Sequence, residues 1–237
     1  MTRTLPFVDS GIVVAIDGPA GSGKSSVSRE VAKRLAVNYL DTGAMYRAVT
    51  WAALAAGLDP ESTDSIAEWI GGPHAPTIIS GLDPTDPTIE VDHVDVREPI
   101  RGQEVTANVS AISAVPEVRT FLVDLQRNHA RAAAGGIIVE GRDIGSVVLP
   151  QADVKVFLTA DPAVRAKRRA IETVEAVNDE QLAATESALR ERDAKDSSRA
   201  VSPLTRAEGA AEIDTSDLTF DQVVDAVVEL IDSARRS

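Results

Sequence analysis

The sequence predicts an α/β protein built on a doubly wound, mainly parallel five-stranded sheet. Three observations lead there. Short β-branched runs bounded by Gly and Pro alternate with segments of helical periodicity. A glycine-rich turn, Gly18-Pro19-Ala20-Gly21-Ser22-Gly23-Lys24-Ser25, separates the first such run from the first such helix. One stretch punctuated by Pro and Gly, with small alternating pieces, interrupts the series.

The elements follow in order. "GIVVAID" reads as a buried strand ending near Asp17, short and β-branched. Val27, Val31 and Leu35 recur every four residues, so "KSSVSREVAKRLA" reads as a helix. "NYLDTG" is a short strand and turn, and "AMYRAVTWAALAAG" a second helix with Gly57 as its stop. From about residue 58 the chain changes character, with Gly71, Gly72, Pro73, Pro76, Gly81, Pro84 and Pro87. Here "PTIIS" and "TIEVDHVDV" read as small strands of an inserted lobe, placed at about 70–101. Helices return at about 102–113 and 116–134, the second opening on Pro116. "GGIIVEG" and "ADVKVFLTA" are two more buried strands. "DPAVRAKRRAIE" is a helix opening at Asp161-Pro162, and "DEQLAATESALRERDAKDSSR" a longer charged one. "AAEIDTS" is a last short strand. In the final helix Thr219 and Gln222 form a capping box, and Phe220, Val223, Val224, Val227, Val228 and Ile231 an apolar stripe. Residues 1–10 are expected to be flexible and 11–237 to form one domain.

Composition narrows the function. Of 237 residues 43% are hydrophobic but only 3% aromatic, so the core must be Val, Ile, Leu and Ala. The absence of Cys excludes disulfides and thiolate metal sites and fits a reducing compartment. The N-terminal stretch has no signal-peptide-like apolar run, and nothing approaches the ~20 apolar residues of a membrane helix. A cytoplasmic protein without membrane contact is expected. A net charge of −13 argues against a nucleic acid partner. Residues 71–100 alone carry six acids, Asp83, Asp86, Glu90, Asp92, Asp95 and Glu98, against Arg97. His74, His93 and His129 have no metal-ligand spacing.

The firmest signal is the glycine-rich turn, which matches G-x-x-x-x-G-K-[ST]. Its glycines let backbone N–H groups turn inward around phosphates, and the following helix adds its positive end. Lys24 would reach the β and γ phosphates, and Ser25 would ligate Mg²⁺. A structural turn alone would need the glycines but neither Lys24 nor Ser25. A guanine-reading N-K-x-D is absent, which argues against a GTPase switch. The third strand ends in "IIVEGRD", so Arg142 and Asp143 sit where open α/β sheets place ligands, and an Arg there suggests a second anion. Arg47, Arg101 and Arg119 fit that picture. So do Arg192, Lys195, Asp196 and Arg199, which share one helix face. Taken singly, each of these is more often a solvated surface charge.

Together, "AIDGPAGSGKS", "YLDTGAMYRA", "EGRDIGSVVLPQADVKVFLTA" and "RERDAKDSSRAVSPL" resemble the bacterial cytidylate kinases, the CMP/dCMP kinases of the nucleoside monophosphate kinase group. The likeness runs from about Ile12 to about Leu230 and implies a fold of the P-loop kinase type. It also implies an inserted monophosphate-binding lobe and a short helical lid at about 161–178. By the same resemblance, Gly18 to Ser26 (Gly18, Pro19, Ala20, Gly21, Ser22, Gly23, Lys24, Ser25, Ser26) would hold ATP with Mg²⁺. Thr42 would touch the acceptor phosphate, with Arg47 and Arg142 clamping it. Ser110, Arg119, Asp143 and Arg199 would surround the cytosine, and Arg192 and Asp196 would lie near the ribose and phosphate. Arg165, Arg168 and Arg169 fall in the lid, with Arg168 expected over the transferred phosphoryl group beside Lys24, Arg142 and Asp143. A monomer is the family default. Three positions depart from the family pattern: Thr42 replaces Ser, Glu140 stands where Asp is common, and Lys195 replaces an Arg, so Lys195 receives no role. The rival expectations are another small-molecule kinase on the same scaffold and a non-catalytic nucleotide-sensing module.

Overall fold

A computed structural model describes residues 11–173, 179–198 and 203–236. The segment expected to be flexible, the end of the expected lid and Arg199 lie outside the described residues.

The strands are β1 (Val13–Asp17), β2 (Asn38–Asp41), β3 (Ile78–Ser80), β4 (Ile89–Val91), β5 (Val94–Asp95), β6 (Ile137–Gly141), β7 (Val154–Thr159) and β8 (Ala211–Asp214). The helices are α1 (Lys24–Leu35), α2 (Thr42–Ala55), α3 (Thr63–Gly71), α4 (Gln103–Ile112), α5 (Pro116–Ala132), α6 (Pro162–Thr173), α7 (Asp179–Ser197) and α8 (Phe220–Arg235). The main sheet has the order β2-β6-β1-β7-β8 with every pairing parallel. β1 is central and its five residues are all buried, which is why "VVAID" reads as a continuous apolar run and not as an alternation.

Each face of the sheet carries its own core. Val14, Ile16, Val156 and Leu158 pack with Val27 and Val31 of α1 and with Val223, Val224 and Val227 of α8. The opposite face packs Ala15, Ile137 and Val139 against Met45, Val49 and Leu122 of α2 and α5. Helix α8 opens on the expected capping box, with Thr219 Oγ1 accepting from the Gln222 N–H and the Gln222 side chain accepting in return. Phe220 departs from its expected place in the stripe. It sits at the first helical position and is 47% exposed, while Val223, Val224, Val227 and Ile231 bury the stripe without it.

The inserted segment has more regular structure than its composition suggested. It opens with α3, whose Ile66 and Ile70 are buried in the core beneath α2 and α5. β3, β4 and β5 form an antiparallel sheet. Asp92 and His93 link β4 to β5 with φ of 49° and 66°, the positive values a tight two-residue hairpin requires. Ile78, Ile89 and Val91 turn the apolar side of this sheet into the same core, so the lobe is anchored by burial. Its solvent side carries the acids, and Arg97 pairs with Asp86 and Asp95 there.

Removing a large side chain from the centre of the sheet tests this packing. Leu158 on β7 is fully buried. Leu158→Ala should lower the unfolding free energy by about 2–5 kcal/mol, read from a shifted urea midpoint at unchanged slope.

Candidate active site

Parallel pairing brings two strand ends together. Asp17 of β1 stands in register with Gly141 of β6, so the turn after β1 and the turn after β6 leave the sheet side by side. This is the crevice at the carboxyl ends of the strands where the chain order reverses. Both turns open into a cleft of 580 Å³, lined on the far side by α2, α4 and α7.

The first turn is Gly18–Gly23. Gly18 passes so close to β7 that a Cβ would stand 2.2 Å from the Leu158 carbonyl oxygen, so only glycine fits. Lys24 opens α1 and its Nζ donates to the Pro19 carbonyl at 3.2 Å. Burial, followed by the Arg142 guanidinium, lowers the Lys24 pKa. Ala20, Gly21, Gly23, Lys24, Ser25 and Ser26 all line the cleft. Ser22 is buried beneath the loop, where its carbonyl accepts from Thr215 Oγ1 at 3.3 Å.

The second turn is Arg142–Asp143 followed by a wide helical turn over Ile144–Val148. Arg142 donates to the Gly18 carbonyl at 3.2 Å and pairs with Asp196 of α7 at 3.3 Å. Asp143 is buried and ion-paired with Arg119 of α5, whose guanidinium also stacks 5.5 Å over the Tyr46 ring. The Nε of Arg119 and the Nε of Arg192 are buried with no hydrogen-bond partner among the described residues. Both residues line the cleft. Burial, then the neighbouring Arg142, pulls the Arg192 pKa down to about 10.

Helix α2 supplies the floor. Asp41 caps it by accepting from the Ala44 N–H at 2.9 Å, which explains the Asp in "LDTG". Thr42 lines the cleft, but its hydroxyl donates to the Glu140 carbonyl at 2.7 Å, which commits that proton. Arg47 lies one turn further and donates to the Ile100 carbonyl at 3.0 Å and to Thr106 Oγ1 at 2.9 Å. Burial and the facing Arg169 lower its pKa. Glu140, at the end of β6, is almost fully buried and accepts from the Tyr39 hydroxyl at 2.6 Å. Burial, then the Asp41 carboxylate, raises its pKa, and Lys24 acts in the opposite direction.

Most of the expected site residues meet at this cleft: the turn residues from Ala20 to Ser26 other than Ser22, with Thr42, Arg47, Ser110, Arg119, Arg142, Asp143, Arg192 and Asp196. Gly18, Pro19 and Ser22 shape the loop from behind. Arg168 is placed differently from the expectation. Its guanidinium donates to Thr215 Oγ1 at 2.8 Å and to the Thr215 carbonyl at 2.7 Å, because that face of α6 lies against the end of β8. Arg169, the next residue, lines the cleft in its stead. Arg165 is buried and braces the loop by donating to the Ala20 carbonyl at 3.1 Å. Sequence reasoning missed Asp193, which pairs with Arg165 and, at 3.6 Å, with Arg142, and which accepts from the Ala20 N–H at 3.4 Å. No spacing rule marks it among the alternating charges of α7. Lys195, given no role, pairs with Glu191 on the surface.

The cleft is strongly cationic in an acidic protein. Lys24, Arg47, Arg101, Arg119, Arg142, Arg169 and Arg192 line it, against Asp41, Glu140, Asp143 and Asp196. Guanidiniums and an ammonium crowded into a buried space repel one another, and the space is suited to polyanions. The donors near Lys24 also fit a hard divalent cation. The Ser25 hydroxyl and the Asp41 and Glu140 carboxylates line the same cleft, and all are oxygen ligands of the kind Mg²⁺ takes.

Asp17 lies beneath both turns. Its carboxylate accepts from the Ile144 and Gly145 N–H groups, each at 2.8 Å, and burial raises its pKa from 3.8 to about 6 in spite of them. Because the folded value exceeds the unfolded one, the folded state takes up a proton first as pH falls. Stability attributable to Asp17 is therefore lowest above pH 6 and is regained between about 6 and 3.8. Relative to Asp17→Asn, the wild-type chain should gain about 1–2 kcal/mol between pH 7.5 and 5. Urea unfolding of both proteins at the two pH values measures it.

The comparisons with known proteins agree with this geometry. The family model described as cytidylate kinase matches residues 14–233. The chain is 53% identical to a cytidylate kinase of Streptomyces griseus, over 99% of each chain. It is 54% identical to one from Streptomyces avermitilis, over 98% of this chain and 96% of that protein. With one from Corynebacterium glutamicum it shares 50% identity, over 96% and 97%. A parallel sheet that sets a lysine-bearing phosphate turn beside an arginine-bearing one, and a likeness that spans nearly the whole chain, lead to one conclusion: the chain belongs to the cytidylate kinase family.

Proposed function

We propose that the protein transfers the γ-phosphoryl group of ATP to CMP or dCMP, giving CDP or dCDP and ADP. The observation that carries this reading is the convergence of two cationic sets on one cleft. Lys24 and the loop amides approach from β1, and Arg47 and Arg142 face them from α2 and β6. Two phosphate groups held in this way are aligned for direct transfer.

The reaction needs positioning and charge neutralisation more than covalent help. An oxygen of the monophosphate attacks the γ-phosphorus in line, and the bond to the β–γ bridging oxygen breaks, leaving ADP. The acceptor phosphate is largely dianionic at neutral pH, so no general base is required. Lys24, Arg142 and Arg169 stabilise the negative charge on the equatorial oxygens in the transition state. Arg47 orients the acceptor phosphate, and Arg192 with Asp196 completes its sugar side. Arg199 is assigned to the cytosine pocket on the resemblance alone. Mg²⁺, held by the Ser25 hydroxyl with Asp41 and Glu140 near it, would neutralise charge on the β and γ phosphates. The inserted lobe would close the monophosphate side, and α6 with the segment after it would serve as the lid that excludes water. A cytoplasmic monomer belongs to the same reading, with size-exclusion mass as its check.

The buried end of the cleft suits cytosine. The exocyclic amine donates, and N3 and O2 accept. The Asp143 carboxylate and the Ser110 hydroxyl can take the amine, and the Nε of Arg119, which has no partner among the described residues, can serve an acceptor. Uracil presents an acceptor where cytosine presents a donor, and an unpaired buried group costs about 1–3 kcal/mol. Steady-state rates should favour CMP and dCMP over UMP by roughly tenfold or more. Equal efficiency with UMP would reject this way of reading the base.

Arg142→Ala should lower kcat by about 10²–10³-fold while ATP-analogue affinity measured by calorimetry stays within about threefold. A melting curve guards against loss of the ion pair with the buried Asp196 unfolding the variant. Near-normal turnover in a folded variant would remove Arg142 from the acceptor clamp.

A further inference from the structure

We propose that Asp17 is a positioning residue for the acceptor site, acting through the turn that carries Arg142 and Asp143. This rests on the phosphoryl-transfer reading above and adds a residue that the proposed chemistry does not touch. Asp17 precedes the phosphate loop and would be expected to serve it. Its carboxylate instead faces the neighbouring turn.

Each of its two oxygens takes one amide proton, from Ile144 and from Gly145, at 2.8 Å. These are the first two amides after Asp143, and the turn they open cannot satisfy them from within. Its own closing bonds begin later, with Val147 and Val148 donating to the Asp143 carbonyl at 2.9 and 3.2 Å. Asp17 thus caps this turn from a different strand, as an Asp at a helix start caps its own. Asp143 itself has φ −144° and ψ 25°, off the regular helix and strand values, so its conformation depends on what holds its flanks. On one flank Asp17 holds the amides of residues 144 and 145. On the other, Gly141 is locked in register opposite Asp17.

The consequence falls on two side chains. Arg142 bonds the carbonyl of Gly18, the residue next to Asp17. Asp143 pairs with Arg119 at the buried end of the cleft. With the amides released, the turn loses its depth against β1, and both side chains shift relative to the phosphate loop. The position also argues against a purely stabilising role. A buried carboxylate, 3% exposed and with no cation bonded to it among the described residues, costs the fold desolvation energy that a neutral side chain would not. What it supplies in return is a bidentate acceptor that fixes two successive amides.

Kinetics can separate positioning from stability. In Asp17→Asn one of the two acceptor oxygens becomes a carboxamide NH2, which can only donate, so one backbone amide loses its partner. The expected result is a KM for CMP raised about tenfold with kcat also reduced, while the affinity for a non-hydrolysable ATP analogue stays within about threefold. The active fraction is fixed beforehand by thermal melting and site titration. Gly145→Ala is the second arm, for the case that the first variant fails to fold. Its Cβ would stand 3.2–3.4 Å from Ala207, Lys155 and the Asp17 carboxylate, pressing the turn away. It should raise the KM for CMP in the same direction with ATP-analogue binding unchanged. Folded variants that keep a wild-type KM for CMP, or that lose ATP-analogue affinity as much as CMP affinity, overturn the proposal. A wild-type chain that fails to phosphorylate CMP would sink the underlying reading as well. An active wild type with unaltered variants would sink this inference alone.

Discussion

Everything in the cleft depends on one pairing, the parallel register of β1 against β6. It places Asp17 opposite Gly141 and therefore sets the phosphate loop and the Arg142 turn next to each other. Parallel strands send their carboxyl ends and the loops after them the same way, so the two turns that carry Lys24 and Arg142 share one volume because their strands are neighbours. The order β2-β6-β1-β7-β8 makes them so. Every other contact in the site either tightens that adjacency, as the Arg142 bond to the Gly18 carbonyl does, or lines the space it creates.

The adjacency concentrates positive charge, and the protein meets that charge unevenly. Arg142 lies between the carboxylates of Asp193 and Asp196, and Arg119 is paired with Asp143. Lys24 and Arg192 sit among like charges and have lowered pKa values, with burial as the leading cause. A polyanion in the cleft would relieve that repulsion, so the cleft is electrostatically suited to one although the chain as a whole carries −13. The surplus acids are spread over the rest of the chain, with six of the 37 on the inserted lobe.

Much of this was legible in the residues because local rules govern it. The apolar runs, the glycine-rich turn and the capping box are set by backbone sterics and by periodicities of two and 3.6 residues. Hence the strands, the loop with Lys24 and Ser25, and the strand-end placement of Arg142 and Asp143 all agree with the structure. Helix α3 was hidden in the insert because its buried stripe amounts to two isoleucines and it runs straight into a stretch punctuated by Gly and Pro. Phe220 fits the helical period yet lies exposed, because period gives the direction of a side chain and not whether a partner surface extends that far.

Three arginines in one run, Arg165, Arg168 and Arg169, show where the sequence stops. By itself it determined that α6 is cationic and that such a helix follows β7. It could not determine that Arg165 is buried against the loop, that Arg168 is bound to Thr215 and that Arg169 lines the cleft, because rotation about the helix is set by packing against β8 and α7. Asp17 and Asp193 are of the same kind. An Asp at the end of a strand and an Asp among alternating charges carry no signal of their own, and each acquires its partners from other elements of the fold, Asp17 from the turn after β6 and Asp193 from the phosphate-loop turn, the turn after β6 and α6. The strand and helix sequence, and the chemistry of the loop, are local properties and were present in the chain. Which charges face which is a property of distance in space, and only the folded sheet decided it.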